Sequence, residues 1–141
     1  MNIQPPPELF THNYIVPIFV AFGVILIFSL VKEPYRQTIN ALIIASVGAI
    51  YANNGLGLIE FFLMPTLIFC AYKGLTNYKF IALGWFIHTA WDLLHHFTGN
   101  PMLPYMPSSA MECAITDPII AIWFYYGAPS VFTLFKKKSI T

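Results

Sequence analysis

Long apolar runs dominate this chain, and they constrain its fold more than any other feature. Of its 141 residues, 57% are hydrophobic and only 9% are charged, whereas a soluble domain has about 25% charged residues. A helix needs about 20 apolar residues to cross the roughly 30 Å hydrocarbon layer of a bilayer. The sequence therefore predicts an all-α integral-membrane protein.

The apolar runs divide into five predicted transmembrane helices. The run 38–72 would form a single helix of about 52 Å at 1.5 Å per residue, which is too long for one crossing. Asn53-Asn54-Gly55 is a typical turn sequence and splits this run into two spans. We therefore predict one transmembrane domain over residues 1–141, with spans at 14–31, 38–52, 56–72, 80–97 and 112–135.

The positive charges all fall in alternate loops of this arrangement. They follow the first, third and fifth spans, and the N-terminal segment, the 53–55 turn and the 98–109 loop carry none. Under the positive-inside rule the N-terminus lies outside and the C-terminus lies in the cytoplasm. The residues concerned are Lys32, Arg36, Lys73, Lys79, Lys136, Lys137 and Lys138.

The overall charge excludes some classes of partner. The formal net charge is +1, so the sequence indicates neither a basic surface for nucleic acid nor an acidic tail. The residues before Tyr14 lack the basic region of a cleavable signal peptide, so we expect the first apolar run to remain as a span. We predict a plasma or inner membrane location with membrane lipid as the partner.

Seven titratable residues lie within the predicted spans or at their ends. A carboxylate at mid-bilayer costs about 2.5–3.5 kcal/mol, so such residues face the bundle interior and mark function. Counting along each helix from the cytoplasmic lysines places most of them in the outer half of the membrane. The seven are Glu60, His88, Asp92, His95, His96, Glu112 and Asp117.

Four of these residues share one face of the fourth span. At 100° per residue they lie within an arc of about 100°. Imidazole nitrogens and carboxylates are ligands that divalent transition metals take. We predict that zinc or iron is bound by His88, Asp92, His95 and His96. A metal-free acid–base pair and a purely structural polar face are the alternatives.

The other three residues are candidate catalytic groups. Glu60 lies at the depth of the fourth-span cluster and is expected to complete the site. Ser109 and Glu112 fit a capping box, and Asp117 before Pro118 fits a helix N-cap. For Glu112 and Asp117, a capping role and a role in the site both stay open, and Pro118 alternatively lies inside a longer helix.

Three short motifs carry a resemblance to a known family. They are H-x-x-x-D-x-x-H-H from His88 to His96, G-N-P from Gly99 to Pro101, and C-A-I-T-D-P from Cys113 to Pro118. With these motifs the chain resembles, over most of its length, a family of small multi-pass membrane proteins of unknown function. The resemblance implies the fold and no activity. The donor types are also similar to those of membrane metal hydrolases of the alkaline-ceramidase type, whose motif order and spacing differ.

The location of the predicted site points to a class of reaction. A buried metal that activates water, beside a spare carboxylate, predicts a metal-dependent hydrolase acting on a lipid or isoprenoid. Without metal, the same groups would protonate an olefin, as an isomerase or cyclase does. A proton or metal-ion transporter and a haem-binding protein are further alternatives. Polar residues are sparse in the cytoplasmic half, which favours a pocket over a conduit.

Overall fold

Five α-helices form the part of the chain that the structure describes. The computed structural model describes residues 14–50, 56–101, 103 and 105–133. The helices are α1 (Ile15–Leu30), α2 (Tyr35–Ile50), α3 (Glu60–Gly74), α4 (Tyr78–Phe97) and α5 (Ser109–Tyr125), and a 3-10 turn at Gly57–Ile59 leads into α3. The described residues contain no strand, so the all-α prediction is confirmed.

The described cations gather at one end of the bundle, which we call the basic end. Here α1 meets α2, α3 meets α4, and α5 terminates. Gln37 of α2 donates a 2.8 Å hydrogen bond to the carbonyl of Gly74 at the end of α3. The ammonium of Lys79 lies 5.6 Å from the ring centre of Tyr125, the last residue of α5. We call the opposite end, where α4 ends and α5 begins, the far end.

The helices α2, α3 and α4 form a tight core around one glycine. A Cβ added to Gly84 of α4 would lie 2.7 Å from Cγ2 of Ile44 on α2 and 3.4 Å from Cβ of Cys70 on α3. All three residues are buried. The missing side chain therefore lets α4 approach two neighbouring helices at once.

A buried arginine ties α1, α2 and the end of α5 together. Arg36 was expected in the loop after the first span, but it lies in the first turn of α2 and is buried. Its guanidinium donates to the carbonyls of Phe28 (2.8 Å), Val31 (2.8 Å) and Ala128 (2.5 Å). From this junction toward the far end, α1 packs on α5 and forms no comparable interface with the described residues of α2.

The fifth helix differs from its predicted span at both ends. The span was predicted at 112–135, whereas α5 runs from Ser109 to Tyr125. Gly127, with φ of +83°, donates to the carbonyl of Phe124, and Ala128 donates to that of Trp123. These two bonds form the motif with which a glycine in the left-handed region ends a helix. Residues 134–135, like the 53–55 turn, lie outside the described residues.

For both Asp117 and Glu112, the capping alternative is wrong. Asp117 is not an N-cap, because α5 begins two turns earlier and continues through Pro118. Ser109 and Glu112 do not form a capping box. Instead, the hydroxyl of Ser108 bonds to the carboxylate of Glu112 at 2.7 Å, and the hydroxyl of Ser109 accepts the backbone N–H of Leu103 at 2.9 Å.

Large apolar side chains point outward on every helix. Phe19 of α1 is 70% exposed and Phe62 of α3 is 73% exposed. Within the described residues, one helical stretch, Gly57–Gly74, is long and apolar enough to cross a bilayer, and α1 is a shorter apolar helix. The number of crossings therefore stays a prediction.

Candidate functional site

The buried face of α4 changes from apolar to polar along its length. Ile81 and Trp85 lie nearest the basic end, and His88, Asp92 and His95 follow toward the far end. These residues recur at intervals of three or four, so they form one stripe on the helix. The stripe faces the bundle, which is why five helices of apolar sequence enclose a polar interior.

Three residues meet in the middle of the bundle and form what we call the His–Asp cluster. Nδ1 of His88 lies 2.7 Å from Oδ2 of Asp117 and 3.1 Å from Oδ2 of Asp92. One ligand atom of each residue lies within 4.8 Å of the others, and all three residues are buried. The rings of Trp85 and His88 pack perpendicular to each other, with centroids 6.0 Å apart.

The position of Asp117 follows from the packing of α5. Small residues flank the aspartate on the buried stripe of this helix, and they include Ala110, Ala114 and Ala121. Small side chains allow two helix backbones to approach closely. This interface brings Asp117 to His88 across the two helices, 29 positions apart in the chain.

A second polar pair lies nearer the far end and joins α3 to α4. Nε2 of His95 lies 3.2 Å from Oε1 of Glu60, and both side chains are buried. The same carboxylate oxygen accepts the backbone N–H of Leu56 at 3.2 Å. Glu60 thus holds the entry to α3 and contacts α4, and we call this contact the Glu60–His95 pair.

The predicted site residues therefore fall into separate groups. His88, Asp92 and Asp117 come together, while His95 pairs with Glu60. His96 is buried, and its ring packs edge-on against Phe97. Glu112 lies on the side of α5 that faces α1, where it lines a pocket of about 140 Å³.

An apolar cavity of about 310 Å³ reaches the His–Asp cluster. His88 and Asp117 form part of its wall, and Cys113 lies beside them. The remaining wall is almost entirely apolar. It is lined by Val24, Phe28, Ile43, Val47, Trp85, Thr116 and Ile120. The volume lies at the lower end of the range of about 300–1,000 Å³ that ligand pockets occupy.

Comparison with protein families shows to which family this chain belongs. The model of a family of unknown function, DUF6010, matches residues 12–130. The chain belongs to this family, as its predicted resemblance to a family of unknown function indicated. Comparison with curated proteins and with solved structures found no match.

Proposed function

We propose that this chain is a membrane-embedded, metal-dependent enzyme, with its five helices crossing the bilayer. Three observations support the membrane location: the low content of charged residues, the exposed apolar side chains on every helix, and the four described cations at one end. With the basic end in the cytoplasm, His88 lies about 15 Å above the start of α4, near mid-membrane. The helices have 15–20 residues and are therefore about 22–30 Å long, which suits a bilayer thinner than average.

The His–Asp cluster is the proposed metal site. One imidazole and two carboxylates match the donor types of zinc and non-haem iron centres. Two ligands of a tetrahedral ion lie about 3.4 Å apart, so the pairs at 2.7 and 3.1 Å need to open by only about 0.7 and about 0.3 Å. Three protein ligands are also the number that leaves a position for water in catalytic sites.

The observation that carries the functional proposal is the meeting of this cluster with the apolar cavity. His88 and Asp117 lie at the wall of a cavity whose other lining residues are almost all apolar. A substrate that fills this cavity is itself apolar, so we propose a lipid or isoprenoid ester or amide. A bound metal would supply Lewis-acid activation of water for hydrolysis. His88, Asp92 and Asp117 would hold the metal, and the carboxylate oxygens that do not bind it would be available to take up a proton.

Metal-free acid–base chemistry is the second candidate function. Its support is the spacing of the His–Asp cluster, because 2.7 and 3.1 Å are the lengths of N–H···O hydrogen bonds. A histidine shared by two carboxylates is suited to move a proton to or from an olefin, which is isomerase or cyclase chemistry. Transport has less support, because the buried face of α4 near the basic end is apolar.

Metal content separates the two candidates. We expect near-stoichiometric zinc or iron in the detergent-purified protein, measured by elemental mass spectrometry, and at least a tenfold loss in Asp117→Asn. Glu60→Gln is the matched control, since it also converts a buried carboxylate into an amide but lies outside the His–Asp cluster. It should retain the metal. Folded wild type without metal would contradict the metal proposal and favour acid–base chemistry.

A further inference from the structure

The apolar cavity lies between two helices that are joined at one end and separate along their length. Arg36 holds the C-terminal carbonyls of α1 to the start of α2 at the basic end. Beyond this junction, α1 packs on α5, and the described residues of α1 and α2 form no packed interface. The cavity occupies the gap. Val24 and Phe28 line it from α1, and Ile43 and Val47 line it from α2.

The outer wall of the cavity is open to the surroundings of the bundle. The four apolar residues that α1 and α2 contribute are half-buried, whereas His88 and Asp117 on the opposite wall are buried. The cavity therefore runs from the bundle surface inward to the His–Asp cluster. In the proposed membrane location, its mouth faces the hydrocarbon layer.

The cavity has one reactive end. Thr116 also lines it, but its hydroxyl donates to the carbonyl of Pro17 on α1 at 3.1 Å and is thereby engaged within the bundle. Imidazole and carboxylate groups lie at the inner wall with the Cys113 thiol beside them, and apart from Thr116 the rest is lined by methyl, methylene and aromatic groups. An occupant that matches this lining has a hydrocarbon chain and a single functional group at its inner end.

We propose that the gap between α1 and α2 is a lateral portal that admits one hydrocarbon chain from the bilayer to the His–Asp cluster. Val24 and Val47, one on each helix, set the width of the portal and so determine which chains enter. This inference rests on the proposed function for the bilayer as the source of the chain and for the reaction at the cluster. A helix of a second protein has a diameter of about 10–12 Å. The cavity volume of about 310 Å³ would hold less than one turn of such a helix, so a second protein does not fit.

Photo-crosslinking in vesicles tests the portal directly. The protein is reconstituted in dioleoylphosphatidylcholine with either a diazirine-bearing palmitic acid or a diazirine-bearing farnesol. The adducts are then mapped by peptide mass spectrometry. We expect adducts to concentrate on the cavity-lining segments of α1 and α2. Labelling of the cavity by either probe supports the portal. The probe that gives more adducts shows whether the portal prefers a straight acyl chain or a branched isoprenoid chain.

A matched pair of tryptophan variants gives the control. Val47→Trp fills the portal and is expected to lower the cavity adducts at least fivefold. Leu42, also on α2, is 62% exposed. Leu42→Trp places the same side chain outside the cavity and is expected to leave the cavity adducts unchanged. If Val47→Trp does not fold, Val24→Trp makes the same test from α1.

Two results would overturn the portal: adducts spread evenly over outward residues such as Phe19 and Phe62, or equal labelling in Val47→Trp and Leu42→Trp. Metal content measured on the same samples separates this inference from the metal proposal. Cavity labelling without metal supports the portal and contradicts the metal site. Metal without cavity labelling supports the metal site and contradicts the portal.

Discussion

Arg36 shows how a single residue fastens the helices of this bundle. Its guanidinium donates to carbonyls at the end of α1 and beyond the end of α5, and it lies 3.2 Å from the carboxylate of Glu33. The last carbonyls of a helix have no partner within the helix and carry partial negative charge, so a cation there is stabilising. The buried charge is tolerated because its N–H groups have acceptors.

Replacement of this arginine should destabilise the bundle. Arg36→Gln leaves buried carbonyls without their charged donor, and we expect the free energy of unfolding to fall by about 2–3 kcal/mol. Lys32→Gln is the control, since it removes a cation at the same end without a comparable set of acceptors, and it should change stability by less than about 0.5 kcal/mol. Thermal unfolding in detergent measures both. Equal losses in the two variants would argue against the role of Arg36.

At the scale of the element, the polar stripe of α4 was predictable, and the end of α5 was missed. His88, Asp92 and His95 fall on one face because helical periodicity alone fixes their directions. The termination of α5 depended on Gly127 followed by Pro129, a recognisable stop signal. The apolar residues after it extended the predicted span to 135. In such a chain both helices and loops are hydrophobic, so hydrophobicity does not show where a helix ends. The glycine and proline after α5 do show it.

Gly84 offers a test of how closely α4 approaches its neighbours. Glycine to alanine within a helix gains about 1 kcal/mol from helix propensity. At Gly84 the new Cβ would lie 2.7 Å from Ile44, so we expect a net loss of about 1–3 kcal/mol. At Gly23 a Cβ meets nothing within 4 Å, so Gly23→Ala should be neutral or stabilising.

The two glycine variants are compared by their midpoints of thermal unfolding in the same detergent. Ile44→Val does not remove the clashing Cγ2, whereas Ile44→Ala does. We therefore expect Ile44→Ala, and not Ile44→Val, to relieve part of the defect in the Gly84→Ala background. If Gly84→Ala and Gly23→Ala unfold at the same midpoint temperature, the close packing of α2 and α4 is contradicted.

At the scale of the whole molecule, the charge pattern predicted which helix ends lie together. Lys73 and Lys79 share an end with Arg36 because all three flank short connections between helices. The partition of the titratable residues was not predictable in this way. Whether Asp117 meets His88, and Glu60 meets His95, depends on the rotation of α5 and α3 about their axes. That rotation is set by side-chain packing, which no periodicity in one helix reveals.

The proposed orientation in the membrane makes a prediction about labelling. In a background of Cys70→Ala and Cys113→Ala, a single cysteine is placed at exposed Lys73 on the basic end or at Tyr105 in the far-end loop, which is 81% exposed. A membrane-impermeant maleimide should label Tyr105→Cys in intact cells and Lys73→Cys only after permeabilisation. Labelling of both from the same side would contradict the five-span topology.

The most direct test of the central claim is X-ray absorption spectroscopy at the zinc and iron edges of the purified protein. The account predicts a coordination shell of nitrogen and oxygen at about 2.0–2.2 Å. It also predicts scattering from one imidazole, which is lost in His88→Ala and retained in His95→Ala. Two or more imidazoles, a sulfur ligand, or a spectrum unchanged in His88→Ala would contradict a metal held by His88, Asp92 and Asp117.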